Sequence, residues 1–195
     1  KGLAYIDDKC VTNDVISAQL SVNSGKINLT KINTEKFKLG VVEIIKNKKG
    51  LIAISKAAKV TTSKNIKGGG DVQIGEVDIV DFASLDTDVL IVKINQLSNI
   101  RITGRGDVRV KEALGMLTVD AYNGNVKVDK AENQLIVYTN KGDIDITGAH
   151  KLVSATSNYG DINIVFDKNA ENFTSLNNNR AVFVLTKDGH VKVDG

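Results

Sequence analysis

Four glycines, Gly106, Gly124, Gly142 and Gly160, stand 18 residues apart, and each is followed by Asp or Asn. Three stretches around them lie under one another: Leu117–Val128, Leu135–Ile146 and Val153–Ile164. Each reads as an alternating apolar run, a Gly-Asx pair and a shorter alternating run. Alternation sends successive side chains to opposite faces of a strand, so each run has one face to bury. No single unit carries enough apolar surface to bury that face alone. Self-similarity at a short fixed step is the mark of units that bury it on one another. Parallel stacking about 4.8 Å apart turns matched positions into continuous apolar ladders. An antiparallel sandwich is the competing all-β arrangement. It explains the alternation but not a constant step with matched corner residues. The expected fold is all-β: a single-stranded parallel β-helix, or solenoid, with ~18-residue coils.

The step extends in both directions. Gly70 lies two steps before Gly106, with Asp88 at the position between. On that spacing Val72, Leu90, Val108, Val126, Ile144 and Ile162 form one inward column. Ile74, Val92, Val110, Val128, Ile146 and Ile164 form the next, and Ala113, Ala131 and Ala149 mark a tight corner. The pattern returns at Val182–Val193 after an 11-residue insertion, and a weaker echo runs from Ile16 to Leu29 around Gly25. Residues 30–69 are looser. Val41, Val42, Ile44 and Ile45 put apolar side chains on both faces there, so something must cover them. The chain reads as one solenoid domain, 1–195, with irregular N-terminal coils (1–69), regular repeats (70–166) and an insertion with a closing coil (167–195).

Charge and composition remove several function classes. The net charge of +3 is spread along the chain, unlike the basic stripe of a nucleic-acid binder. Lys46–Lys49 is the densest basic stretch and reads as a solvated turn. No apolar run approaches the roughly 20 residues of a membrane helix. Cys10 is the sole cysteine, which excludes an intrachain disulfide and leaves the compartment open. The first residue is Lys1, as in a mature or trimmed chain, so the lack of a leader does not argue for the cytoplasm.

The run Leu-x-Val-x-Thr-x-x-Gly-Asp-Ile-x-Ile, spelled out at Leu135–Ile146, resembles bacterial adhesin-type domains of unknown function. Ile100–Val110 is similar to the GIN-type head domain of autotransporter adhesins. The resemblance covers roughly residues 70–195, with the echo at 16–29. It implies a right-handed β-helix-like solenoid, exported or membrane-associated. It brings no catalytic or ligand residues with it, and residues 30–69 depart from it.

Several constellations bear on chemistry. Asp107, Asn125, Asp143 and Asp161 form a corner ladder. A cation site needs more oxygens than the one each coil supplies, so the ladder reads as a turn-forming Asx column. Arg109, Lys127, Asp145 and Asn163 fall on the outward side, with Lys127 beside Asp145 as an exposed cross-strand pair. Carbohydrate-active β-helix enzymes cluster carboxylates on such a face, but no second acid column appears here. His150 and His190 stand 40 residues apart without a partner cysteine. Gly68–Gly70 lacks the Lys-Ser/Thr and helix of a phosphate loop. Arg105-Gly106-Asp107 spells an integrin-binding tripeptide, yet its Gly-Asp belongs to the repeat's own corner. No catalytic, cofactor-binding or metal-binding residues are therefore assigned, and no cofactor is expected.

Tyr122, Ile136 and Tyr138 point away from the core by alternation and mark a contact face. The expectation is a non-enzymatic binding or scaffolding domain at the cell surface, secreted or periplasmic. Its partner would be an unidentified protein or glycan and not nucleic acid. A carbohydrate-active β-helix enzyme and a module that self-assembles through a solenoid face or end are the alternatives.

Overall fold

The computed structural model describes residues 72–83, 86–168 and 182–195 with their side chains, and by backbone alone Ser84 and seven strands between residues 4 and 61. Those seven are β1 (Ala4–Ile6), β2 (Lys9–Thr12), β3 (Ala18–Ser21), β4 (Lys26–Leu29), β5 (Lys36–Leu39), β6 (Val42–Lys46) and β7 (Ile52–Thr61). The regular part begins with β8 (Val72–Ser84), β9 (Val89–Ile94) and β10 (Ser98–Arg105). It continues with β11 (Val108–Ala113), β12 (Leu117–Asn123), β13 (Val126–Val128) and β14 (Leu135–Lys141). Next come β15 (Ile144–Ala149), β16 (Val153–Tyr159) and β17 (Ile162–Phe166). The last coil holds β18 (Val182–Asp188) and β19 (Val191–Asp194).

From β8 onward every pairing is parallel, and each strand pairs with its counterpart one coil away. One ladder runs β8–β10–β12–β14–β16–β18. The other runs β8–β9–β11–β13–β15–β17–β19. The long strand β8 bends through both, pairing with β9 through Val72–Val77 and with β10 through Asp81–Ser84. This is the β-solenoid that the 18-residue step predicts. Ile144 pairs with Ile162 in parallel register, and both are buried.

The inward columns hold with one correction. Val89 and Ile91, not Leu90 and Val92, stand between Val72/Ile74 and Val108/Val110. Val89 and Ile91 are buried, whereas Val92 is 44% exposed. The coil from Val72 to Val89 is one residue short of 18, and the coil from Val89 to Val108 is one residue long. A bulge in β10 absorbs the difference: Ile102 faces Ala121, but Arg105 faces Asn123. A one-residue slip moves every side chain of a strand to the other face, so constant counting inverted β9. The alanine column is present, with Ala113, Ala131 and Ala149 buried and bridged in parallel. Ile94 precedes it and Phe166 follows it.

The echo at 16–29 is not a solenoid coil. β3 and β4 pair with each other antiparallel, as do β5 with β6, β6 with β7, and β1 with β2. Alternation around a glycine specifies two strands but not their direction, so the echo could not distinguish a hairpin from a coil. β7 joins the two regions, pairing in parallel with β8 on one edge and, on the other, in parallel with β4 and antiparallel with β6.

The corners explain the glycines. A Cβ at Gly124 would lie 1.9 Å from the carbonyl oxygen of Gly106, and one at Gly142 would lie 2.2 Å from that of Gly124. Gly160 and Gly189 repeat the relation. At these four positions glycine is needed for close approach of stacked backbones, not for a positive φ. Buried hydroxyls line the same turn: Thr139 donates to the carbonyl of Gly124, and Ser157 to that of Gly142.

Candidate functional site

Outward positions on β10, β12 and β14 stack into rows, because parallel register places Arg101 beside Asp120 and Asp120 beside Tyr138. Thr103 lies within the β10 bulge. Together with Tyr122 these residues line a shallow groove of about 360 Å³. Arg101 Nε lies 3.3 Å from Asp120 Oδ2, an ion pair left open to solvent on the arginine side. Tyr122 is 45% exposed, and Tyr138 is half-buried, with its hydroxyl accepting a 3.5 Å contact from Asn158 Nδ2. The groove thus offers two aromatic rings, a guanidinium and one carboxylate already engaged with that guanidinium. Such a set can stack on a flat apolar surface and hydrogen-bond a polar rim.

The structure therefore brings Tyr122 and Tyr138 together. Ile136 is half-buried and outward-facing as expected, but it stands in the adjoining row, between Thr118 and Ser154, and does not line the groove. Sequence reading missed Arg101, Thr103 and Asp120. Arg101 and Asp120 are 19 residues apart in register, so a fixed step of 18 does not align them.

The Asx ladder is structural, in a form the sequence did not show. Each side-chain oxygen accepts the main-chain N–H of the next Asx in the column, one coil later, rather than an amide of its own turn. Asp88 takes that of Asp107, Asp107 that of Asn125, Asn125 that of Asp143, and Asp143 that of Asp161, at 2.7–2.9 Å. Asp161 accepts from the N–H of His190 and also meets its ring at 3.3 Å. These bonds hold the Asp161 carboxyl below its ordinary range. The Gly106-Asp107 of the integrin-type tripeptide is used in this way, and the Arg105 N–H donates to Asp86.

On the β13–β15–β17 face, Lys127 and Asp145 form the expected ion pair, and Asn163 donates to Asp145 at 3.0 Å. Burial pushes the Asp145 carboxyl up, but these two bonds outweigh it and the net shift is downward. At the alanine corner Lys130 bridges Glu132 and Glu112. The Glu132 bond, then the Glu112 bond, raise its ammonium pKa. His150 lies 3.1 Å from Asp167, while His190 sits on the Asx column, so the two histidines occupy different corners. Among the described residues no cluster of three His, Cys, Asp or Glu side chains is placed to hold a metal. The side chain of Cys10, the Lys46–Lys49 run, Gly68–Gly70 and the side chains of Val41, Val42, Ile44 and Ile45 lie outside what is described.

Comparison with known proteins returns no matching family model, no similar curated protein and no similar solved structure.

Proposed function

We propose that this chain is a non-enzymatic binding or scaffolding domain of the adhesin type, working outside the cytoplasm at the cell surface, in secreted form or in the periplasm. The observation that carries the reading is the groove of Arg101, Thr103, Asp120, Tyr122 and Tyr138 on a rigid parallel ladder. Tyrosine rings give amphipathic contact area at low entropic cost. An arginine held by an aspartate gives a directed polar group beside them. Catalysis would call for converging acid, base or nucleophile groups. The groove supplies one carboxylate, and that one is paired. The partner is a protein or a glycan presented at a surface, and no nucleic acid or cofactor enters the reading.

The test is a glycan-array and cell-binding screen with the parent chain and with Tyr122→Ser plus Tyr138→Ser. Both positions face outward, so the double variant should keep the parent's melting temperature and lose most of any binding found. Binding unchanged by the double variant would remove the groove. Glycan cleavage abolished by one acidic substitution would instead establish the enzyme alternative.

A further inference from the structure

We infer that the groove takes an acidic sugar, a pyranose ring that stacks on Tyr122 and Tyr138 while its carboxylate meets the outer edge of the Arg101 guanidinium. The inference rests on the groove being the binding site, as proposed above, and names the chemistry that it selects. Arg101 is engaged on one side of its fork only. Its Nε lies 3.3 Å from Asp120 Oδ2, and neither Nη group makes a hydrogen bond to any described residue. The arginine side chain is 67% exposed. A guanidinium oriented through Nε presents its two Nη groups as parallel donors, the geometry that fits a carboxylate.

The rest of the lining suits a sugar ring. Parallel register puts Tyr138 beside Asp120, and Tyr122 stands two residues further along β12. Two residues along a strand and one strand across set the two Tyr Cα atoms roughly 8 Å apart, so both rings can reach one small ligand. A pyranose has an apolar C–H face and a rim of hydroxyls, and a tyrosine offers apolar area with a polar tip. Asp120 accepts no hydrogen bond from any described residue, so its carboxylate can take a hydroxyl of that rim. Among the described residues lining the groove, Arg101 is the one cation. One guanidinium matches one carboxylate, whereas a polyphosphate or polysulfate calls for several cations.

Two observations favour a sugar over an acidic peptide. First, β10, β12 and β14 lie inside the ladder, each paired with a strand on both sides. They offer no free edge for strand addition, the mode that gives an extended peptide its main-chain hydrogen bonds. Second, protein interfaces centre on an apolar core within a polar rim. Among the described residues no aliphatic side chain lines this groove. Asn99 and Thr118 stand in the row on one side, and Asn140 and Asn158 in the row on the other, with Asn158 reaching the Tyr138 hydroxyl. Ile136 lies one row away. Side-chain amides and hydroxyls around two aromatic rings match the alternation of apolar face and polar rim on a sugar.

The experiment is calorimetric titration of the 195-residue chain with tri-galacturonate, its methyl ester, sialyllactose, lactose and a glutamate-rich peptide. At least one of the two acids should bind, with a Kd of about a millimolar or tighter for so few contacts. It should bind roughly tenfold more tightly than its uncharged counterpart, and which acid binds tells a uronate from a sialate. That ratio is read on the parent and needs no variant. Arg101→Gln, at an exposed position, should melt with the parent and bind acid and uncharged sugars alike. Tyr122→Ser plus Tyr138→Ser should weaken both. Equal binding of acid and uncharged sugars by the parent, lost in the tyrosine variant, overturns the carboxylate and leaves the groove standing. Sugar binding untouched by the tyrosine variant overturns the groove, and this inference with it. The inference also falls if Arg101→Gln keeps the acid preference, if the peptide binds more tightly than either acid, or if neither acid binds at about 10 mM.

Discussion

Replacing Gly142 with alanine should destabilise this protein severely, although nothing about its φ demands glycine. At a permissive site Gly→Ala stabilises by about 0.4–1 kcal/mol, because the unfolded chain loses freedom. Here the added Cβ would stand 2.2 Å from the Gly124 carbonyl oxygen and 2.5 Å from its carbon. Both are backbone atoms of the coil beneath and cannot rotate away. Restoring contact distance means opening the corner by about 1 Å. That stretch takes the Asp143 N–H to Asn125 bond of 2.8 Å and the Val126 N–H to Asp143 carbonyl bond of 2.9 Å past the range of a hydrogen bond. Two such bonds are worth about 1 kcal/mol each, and overpacking adds about 1–3 kcal/mol. The expected net loss is about 3–4 kcal/mol. At about 2–4 °C per kcal/mol for a chain of this size, melting should fall by about 10 °C. Urea unfolding followed by far-ultraviolet circular dichroism suits a chain without tryptophan. Gly148 is the control. Its φ is +67°, but a Cβ there meets nothing closer than the Asp129 carbonyl oxygen at 3.1 Å, so Gly148→Ala should cost only about 1–2 kcal/mol. If Gly148→Ala proves the more damaging, or Gly142→Ala melts within about 2 °C of the parent, stacking is not what the glycine column serves.

Ile144→Ala removes a buried side chain from the column between Val126 and Ile162, and should cost about 2–4 kcal/mol in the same unfolding assay; a loss under 1 kcal/mol would mean the column is loosely packed. Acid should unfold the protein partly through Asp145 and Glu132, whose folded-state pKa values are lowered. Their contribution is present above the unfolded carboxylate range near pH 4 and is lost as pH falls through the folded values. Asp145→Asn should therefore flatten the decline of the urea midpoint between pH 5 and pH 3, and an equal or steeper decline would show that the Lys127 pair holds no proton-linked stability.

The fold was legible from Gly106 onward because each corner repeats a requirement that only glycine meets and each column needs an apolar residue every 18 positions. Where those requirements were met by other means, the reading slipped. Thr87 stands beneath Gly106, its carbonyl oxygen taking the contact made elsewhere by a glycine, and one missing residue is repaid by the β10 bulge. A step counted from glycines therefore inverted Leu90 and Val92. The groove was half legible for the same reason. Tyr122 and Tyr138 lie within regular coils and were placed outward by alternation, whereas Arg101 precedes the bulge and Thr103 lies within it, and both join the site through a register that only the folded coil displays. The N-terminal hairpins were illegible because alternation carries no information about strand direction.

The Asx ladder also has a direction in time. The oxygen always belongs to the earlier coil and the N–H to the later one, from Asp88 through Asp161 to His190. During synthesis the side-chain acceptor of each Asx bond is made before the N–H that it takes. A coil leaving the ribosome meets a finished side-chain acceptor for its Asx N–H, whereas the amide that follows each Asx, as from Val126 to the Asp143 carbonyl, is satisfied by the coil made next. The relay ends at a histidine, which receives from the coil before it and carries no side-chain carbonyl to pass on. The order in which the chain is made is thereby written into which side of each Asx bond a residue supplies.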